Sequence, residues 1–232
     1  MTRGDCGGLH MVVANAMTLL RCSGALWLAS ARALIVADLH FEKGSFYAKR
    51  HGQMLPPYDT ADTLDRLEAE IEALDPAVVV CLGDSFHDAE GEARLSGDDA
   101  RRIAALGSGR TLVWITGNHD HEVPFSLAGE TADELYLGGL LLRHEPQPGD
   151  QEGEAAGHLH PCAKVSHRGM TVRRRCFVTD GTRIVLPAFG AFTGGLNVRD
   201  VAFAALFDTP PIAAALGREA VHAVGWKSLR PD

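Results

Sequence analysis

The sequence predicts an α/β protein built on two sheets, a parallel one followed by a mixed one. Three observations carry that expectation. Over the first half, short apolar runs of strand type alternate with amphipathic helical segments. Three of those runs stop directly on short polar motifs. The second half breaks into brief apolar runs separated by Gly, Pro and Asp, without a helical period.

Residues 1–8, Met-Thr-Arg-Gly-Asp-Cys-Gly-Gly, predict a flexible tail, leaving residues 9–232 as a single domain with no evident linker or repeat. Leu9–Leu20 predicts early β structure. Asn15 and Thr18 interrupt it, and Arg3 ahead of it is offset by Asp5, so it lacks the pattern of a secretion signal. Leu26–Leu28 and Ala33–Ala37 follow, the latter a buried strand. In Asp59–Leu74, Leu64, Leu67, Ile71 and Leu74 recur at spacings of three and four, which predicts an amphipathic helix with Asp59 or Thr60 as its N-cap. Asp75-Pro76 ends it, and Ala77–Leu82 is the next buried strand. Asp98–Leu106 predicts a helix stopped by Gly107, and Thr111–Thr116 a third strand. Beyond it, Leu135–Leu137, Leu140–His144, Val165, Thr171–Thr179, Arg183–Leu186, Val201–Phe207 and Ala220–Trp226 predict short strands, and Glu145–Gly157 a solvated loop. Trp27, Trp114 and Trp226 are expected in the core.

The chain of 232 residues carries 22 basic and 30 acidic side chains, a net charge of −8, which argues against a protein that coats nucleic acid by bulk charge and leaves room for a local basic patch. Five cysteines without a CxxC pair imply reduced thiols in a cytoplasmic protein. No apolar run reaches the roughly 18 residues of a membrane span.

The motifs that end the strands are Asp38-Leu39-His40, Gly83-Asp84 and Gly117-Asn118-His119-Asp120, and later come His144 and Gly157-His158-Leu159-His160. Ligands of open α/β sheets bind at the carboxyl ends of strands, so these motifs are expected to converge. Hydrolytic divalent ions need hard oxygen and borderline nitrogen donors. Asp38 and His40 can reach one ion if the chain turns between them, and Asp84 can bridge two through its carboxylate. Asn118 offers a neutral oxygen that adds no charge to repel phosphate, and His144, His158 and His160 supply the remaining nitrogens. Singly, each motif is as consistent with a loop or turn; jointly, in this order, they describe a two-metal centre for phosphate-ester hydrolysis.

This pattern resembles the calcineurin-like metallophosphoesterases, from about Val36 to at least His160. The resemblance implies a four-layered α/β/β/α sandwich. It implies Asp38, His40, Asp84 and His160 around a first metal, and Asp84, Asn118, His144 and His158 around a second, with His119 contacting the phosphate or protonating the leaving oxygen. The stretches Ala37–Gly44, Leu82–Asp88, His158–Pro161 and Leu186–Gly195 are similar to the DNA-ligase-associated, DNA-damage-response endonuclease subfamily. That narrower likeness implies a bacterial cytoplasmic enzyme acting on DNA, encoded with a DNA ligase and a helicase as possible partners. Where many family members carry an acidic residue three positions after the bridging Asp, this chain has His87, then Asp88. The mixed oxygen and nitrogen donors suit Mn²⁺, and Fe or Zn²⁺ would also fit.

Arg168, Arg173, Arg174, Arg175 and Arg183 cluster in sequence. They form either a DNA-backbone grip, with Arg173 and Arg175 on one face of a strand, or a solvated strand face. Lys43, Lys49, Arg50 and His51, expected in a loop, invite the same two readings. Two other functions fit the same motifs. A small-molecule phosphatase or nucleotide phosphodiesterase would share the metal core but enclose its substrate, and the intervals between motifs leave no room for a cap domain. A noncatalytic partner-binding module would have lost ligands, and none is missing.

Overall fold

The computed structural model describes residues 1–4, 6–51, 58–118, 127–167 and 169–232. The expected His119 and Asp120, with His121 and Arg168, lie outside the described residues.

The first sheet has eight strands in chain order: β1 (Thr2–Arg3), β2 (Leu9–Val13), β3 (Ala16–Leu20), β4 (Leu26–Leu28), β5 (Ala33–Ala37), β6 (Val78–Leu82), β7 (Thr111–Ile115) and β8 (Glu130–Ala132). Its first five strands pair antiparallel, and β5 to β8 run parallel. Where the sequence suggested a loose tail, Thr2 and Arg3 pair with His10 and Leu9. The helices α1 (Lys43–His51), α2 (Asp59–Leu74), α3 (Gly91–Arg94) and α4 (Gly97–Ala105) connect the parallel strands. Helix α2 matches its expected bounds. Its N-cap is Tyr58, without a side-chain cap bond. Asp59 and Thr60 do other work: Asp59 accepts the Gly44 N–H at 2.9 Å and Thr60 bonds Glu42, fastening α2 to the segment after His40. Helix α4 starts one residue earlier than expected, capped by Ser96, whose hydroxyl accepts from Asp99 N–H. Lys43, Lys49 and Arg50 are helical, not looped.

The second sheet also has eight strands, β9 (Glu134–Leu137), β10 (Leu140–Arg143), β11 (Glu154–Ala156), β12 (Cys162–His167), β13 (Met170–Thr179), β14 (Ile184–Val185), β15 (Ile212–Leu216) and β16 (Val221–Gly225). It is mixed, as expected: β10, β11 and β14 run parallel and the rest pair antiparallel. Two local expectations fail, and one strand was not foreseen. Strand β11, fully buried, ends the supposed loop; Val201–Phe203 is a 3-10 turn; and Ile-Ala-Ala-Ala-Leu at 212–216 is a strand. Alanine has low strand propensity, and β15 is extended because it lies between β13 and β16.

The sheets stack face to face. Ile35, Val80 and Val113 of the first pack with Leu140, Phe177 and Ala214 of the second. Alternate residues Leu34, Val36, Val79, Cys81 and Trp114 point the other way, onto Leu64, Leu67 and Ile71 of α2 and Ile103 of α4. Burial on both faces explains why β5, β6 and β7 are continuously apolar. On the outer face of the second sheet, Cys176, Val178 and Ala213 are covered by Val198 and Leu229, and Val185 by Phe203 and Leu206. The sandwich therefore has helices on one side and short 3-10 turns on the other. Trp27 and Trp226 are partly buried against these clusters. No described helix is long and apolar enough to cross a membrane.

Candidate metal centre

Strands β5, β6 and β7 of one sheet and β10 and β11 of the other end at a common edge, and the sequence motifs follow those ends. Asp38 follows β5, Gly83-Asp84 follows β6, and Gly117-Asn118 follows β7. His144 follows β10, and Gly157-His158 follows β11. Backbone bonds knit these turns: His40 N–H donates to Asp84 O at 2.9 Å, Gly157 N–H to His144 O at 2.9 Å, and Gly190 N–H to Asp38 O at 3.1 Å.

Two groups of donor atoms form. Asp38, His40 and His160 make one; Asp84, His144 and His158 make the other. In the first, His40 Nε2 faces His160 Nε2 at 3.3 Å, and His160 Nε2 lies 3.3 Å from Asp38 Oδ1. In the second, His144 Nε2 lies 3.4 Å from Asp84 Oδ1 and 3.1 Å from His158 Nδ1. Asp84 spans both, because its Oδ2 sits 3.9 Å from His40 Nε2. Asn118, exposed, brings its side-chain amide to 3.4 Å from His158 Nδ1. All seven expected ligands thus reach one edge of the molecule.

The donor set fits divalent cations. His144 Nδ1 lies 3.0 Å from Leu82 O, a carbonyl that can only accept, so Nδ1 carries the proton and Nε2 keeps its lone pair facing Asp84 and His158. Burial, aided by the neighbouring His144, pushes the His158 imidazole below its ordinary pKa and keeps it neutral, the form that binds metal. Facing imidazole nitrogens with two carboxylates between them suit a pair of cations better than they suit one another.

The turns that deliver these side chains are strained. Asp38, His40, Asp84, His158 and His160 all adopt left-handed backbone, with φ of 53°, 45°, 46°, 66° and 45°. Such conformations are uncommon outside glycine, with Asp and His among the more tolerant types, and they cluster where function imposes them. Two motif glycines are required by close approach. A Cβ on Gly83, at φ 66°, would overlap the His144 ring, and one on Gly117 would overlap Asp84 N.

Arg175 and Arg173 both engage backbone carbonyls of the segment after β14. Arg175, partly buried, donates to Ala188 O, Ala191 O and Thr193 O at 3.0, 2.9 and 3.1 Å, clamping the loop whose Gly190 bonds Asp38. Arg173 donates to Gly195 O at 2.6 Å and lies 3.4 Å from Asp232. Arg66 also reaches this loop, donating to Phe189 O beneath a stacking contact of 4.9 Å with the Phe189 ring. Burial, reinforced by Arg175, pulls its pKa down to about 10. The loop clamp left no signal in the sequence beyond Gly190, Gly194 and Gly195.

A calcineurin-like phosphoesterase family profile matches residues 31–182. The chain belongs to that family. It is a metal-dependent phosphoesterase, and the matched span holds every candidate ligand described above. Among solved structures, nuclease MPE of Pseudomonas putida is similar to this phosphoesterase at 29% identity, over 94% of this chain and 100% of that one, with a TM-score of 0.73. Yfce, a phosphoesterase from E. coli, is similar at 14% identity, over 83% of this chain and 98% of that one, with a TM-score of 0.40. No curated protein sequence matches the chain.

Proposed function

We propose that this phosphoesterase is an endonuclease that hydrolyses phosphodiester bonds of DNA, working in a bacterial repair module beside a DNA ligase and a helicase in the cytoplasm. The observation that supports it most is the pairing of two donor groups through Asp84 in a chain similar over 94% of its length to a nuclease. In this reading residues 9–232 act as one domain. Asp38, His40, Asp84 and His160 hold one cation, and Asp84, Asn118, His144 and His158 the other, Mn²⁺ in both places, with Fe or Zn²⁺ as substitutes. When bound, the pair supplies positive charge to the phosphate oxygens and acidifies an attacking water.

The chain's own residues do the rest. Leu82 O fixes the His144 tautomer, so that ring presents a lone pair. The His158 backbone N–H holds the Asp38 carboxylate in place. Neutral Asn118 adds no negative charge where an anionic diester must approach. His119 delivers a proton to the departing alkoxide oxygen, a role suited to imidazole near neutral pH.

The test is Mn²⁺-dependent hydrolysis by the purified chain of bis-p-nitrophenyl phosphate, p-nitrophenyl phosphate and labelled single- and double-stranded DNA. Cleavage of diester and DNA, abolished in Asp84→Ala and reduced about a hundredfold or more in His119→Ala while metal is retained, is the expected result. Monoester turnover without DNA cleavage would replace the endonuclease with a small-molecule phosphatase.

A further inference from the structure

A line of rings leaves the metal-ligand cluster on the α1 side. The ring of His87, which follows β6, packs 5.6 Å from that of His40. Beyond it, His87 meets Phe46 edge-on at 4.6 Å and lies close to parallel with Tyr47 at 5.7 Å, with an interplanar angle of 27°. Phe46 then walls a cavity of about 460 Å³, completed by Lys49, Arg50, Asp88, Ala89 and Glu90. That volume falls within the roughly 300–1,000 Å³ of small-molecule sites.

The acidic lining is already neutralised. Asp88 holds Arg94 at 2.5 Å, and Glu90 holds Lys49 at 2.7 Å. Arg50 is different: its guanidinium carbon stands 5.5 Å from the centre of the Phe46 ring, and it makes no ion pair among the described residues. The cavity therefore holds the Phe46 ring and, over it, a planar cation paired with no described carboxylate, two ring contacts away from His40.

We propose that this cavity is a nucleobase subsite, taking the base of the nucleotide next to the scissile phosphate. The base packs against Phe46, and Arg50 turns to the adjoining phosphate. A nucleotide chain alternates anionic links with flat π-faces. A protein that places donors for phosphate-binding cations at one point, and an aromatic ring with an arginine beside them, matches that alternation. Stacking on Phe46 would tolerate any base, because every base has such a face. The proposal rests on the phosphodiesterase reading above and adds to it where the substrate's base is held.

The same chemistry could serve a nucleobase from a polymer or from a single nucleotide, so the experiment carries both. Mn²⁺-dependent kcat/KM is measured for a single-stranded oligonucleotide, for the same oligonucleotide with abasic sites in place of its nucleosides, for thymidine 5′-(p-nitrophenyl phosphate) and for methyl p-nitrophenyl phosphate. The expected result is that wild type prefers each base-bearing substrate over its base-free counterpart. Phe46→Ala should then shrink that preference about tenfold, mainly through KM, the scale of one lost stacking contact. Phe46→Trp should keep the preference, and the exposed Arg50→Ala should shrink it on the oligonucleotide. Preference for the oligonucleotide without preference for the thymidine ester would assign the subsite to polymer alone and support the proposal. A preference unchanged in both Phe46→Ala and Arg50→Ala overturns it, as does loss of equal size on every substrate. Absence of wild-type turnover on all four diesters would overturn the phosphodiesterase reading itself, and the subsite with it.

Discussion

The backbone N–H of His158 lies 3.1 and 3.0 Å from the two carboxylate oxygens of Asp38, joining the end of β11 in one sheet to the end of β5 in the other. Asp38 is fully buried, so this bond is both a brace between sheets and the means of aiming a candidate metal-ligand carboxylate. The two roles separate by substitution. Asp38→Asn keeps an acceptor for the N–H and a residue type that tolerates the φ of 53° at this position. Asp38→Ala leaves the part-buried His158 N–H without its acceptor, at a cost of about 1 kcal/mol or more. Diester turnover should fall at least about a hundredfold in both, since several kcal/mol of charge stabilisation depend on the metal. Urea unfolding of the metal-free proteins should show the alanine variant alone clearly destabilised. Equal losses of stability would show that the brace is not this hydrogen bond.

Gly83 offers a second separation. Its φ of 66° and its contact with the His144 ring leave no space for a side chain. Gly83→Ala should lose about 1–2 kcal/mol from the left-handed backbone alone and more from displacement of His144. Because His144 belongs to the group with Asp84 and His158, metal titration should show one of two binding events weakened before the other. Isothermal titration with Mn²⁺ reads this directly, and simultaneous loss of both events would mean that the bridging Asp84 moves with His144.

Why the convergence of the candidate donors was legible and the loop clamp was not follows from where each signal resides. Asp38, Asp84, Asn118, His144, His158 and His160 each stand at or just beyond a strand end, and strand ends at one edge of parallel sheets converge by topology. Helix α2 was legible to the residue because Leu64, Leu67 and Ile71 bury one stripe against the sheet. Strands β11 and β15 were not, because their residues become extended through neighbours distant in sequence: Ala155 opposite Ile184, and Ala214 between Phe177 and Ala223. Asp59 and Thr60 misled as caps for a related reason. Their side chains are taken by Gly44 and Glu42, contacts that exist only once α1 and α2 have packed.

The thiols give a measurement that needs no substrate. Burial raises the pKa of the Cys22, Cys162 and Cys176 thiols, Cys176 by the most, and Cys81 is buried as well. A raised thiol pKa lowers the thiolate fraction, and the thiolate is the reactive form. At about pH 8 the native protein should therefore react quickly at exposed Cys6 and slowly at the other four, the slow phase accelerating as pH rises further. Quantitation with a disulfide reagent, before and after unfolding, checks this. Several fast thiols in the native state would contradict the packing around Cys162 and Cys176.

Arg175 and Arg173 share one strand face and should behave as opposites. Arg175 is partly buried with its guanidinium on three carbonyls of the 188–193 segment, and desolvation there holds its pKa below the ordinary arginine value. Arg175→Met should cost about 2–4 kcal/mol, since each hydrogen bond to a charged group contributes ~1.5–3 kcal/mol and the freed carbonyls partly regain water. It should also slow turnover on every substrate alike, because Gly190 N–H, in the same segment, bonds Asp38 O. Arg173 is 40% exposed, and Arg173→Ala should change stability by no more than ~0.5 kcal/mol. If Arg173 grips DNA, its removal should raise KM for DNA and flatten the salt dependence of binding, with bis-p-nitrophenyl phosphate turnover unchanged. Thermal unfolding and a salt series of DNA affinity for the two variants distinguish the clamp from the grip. A stable Arg175→Met protein with a selective DNA defect would return Arg175 to the substrate.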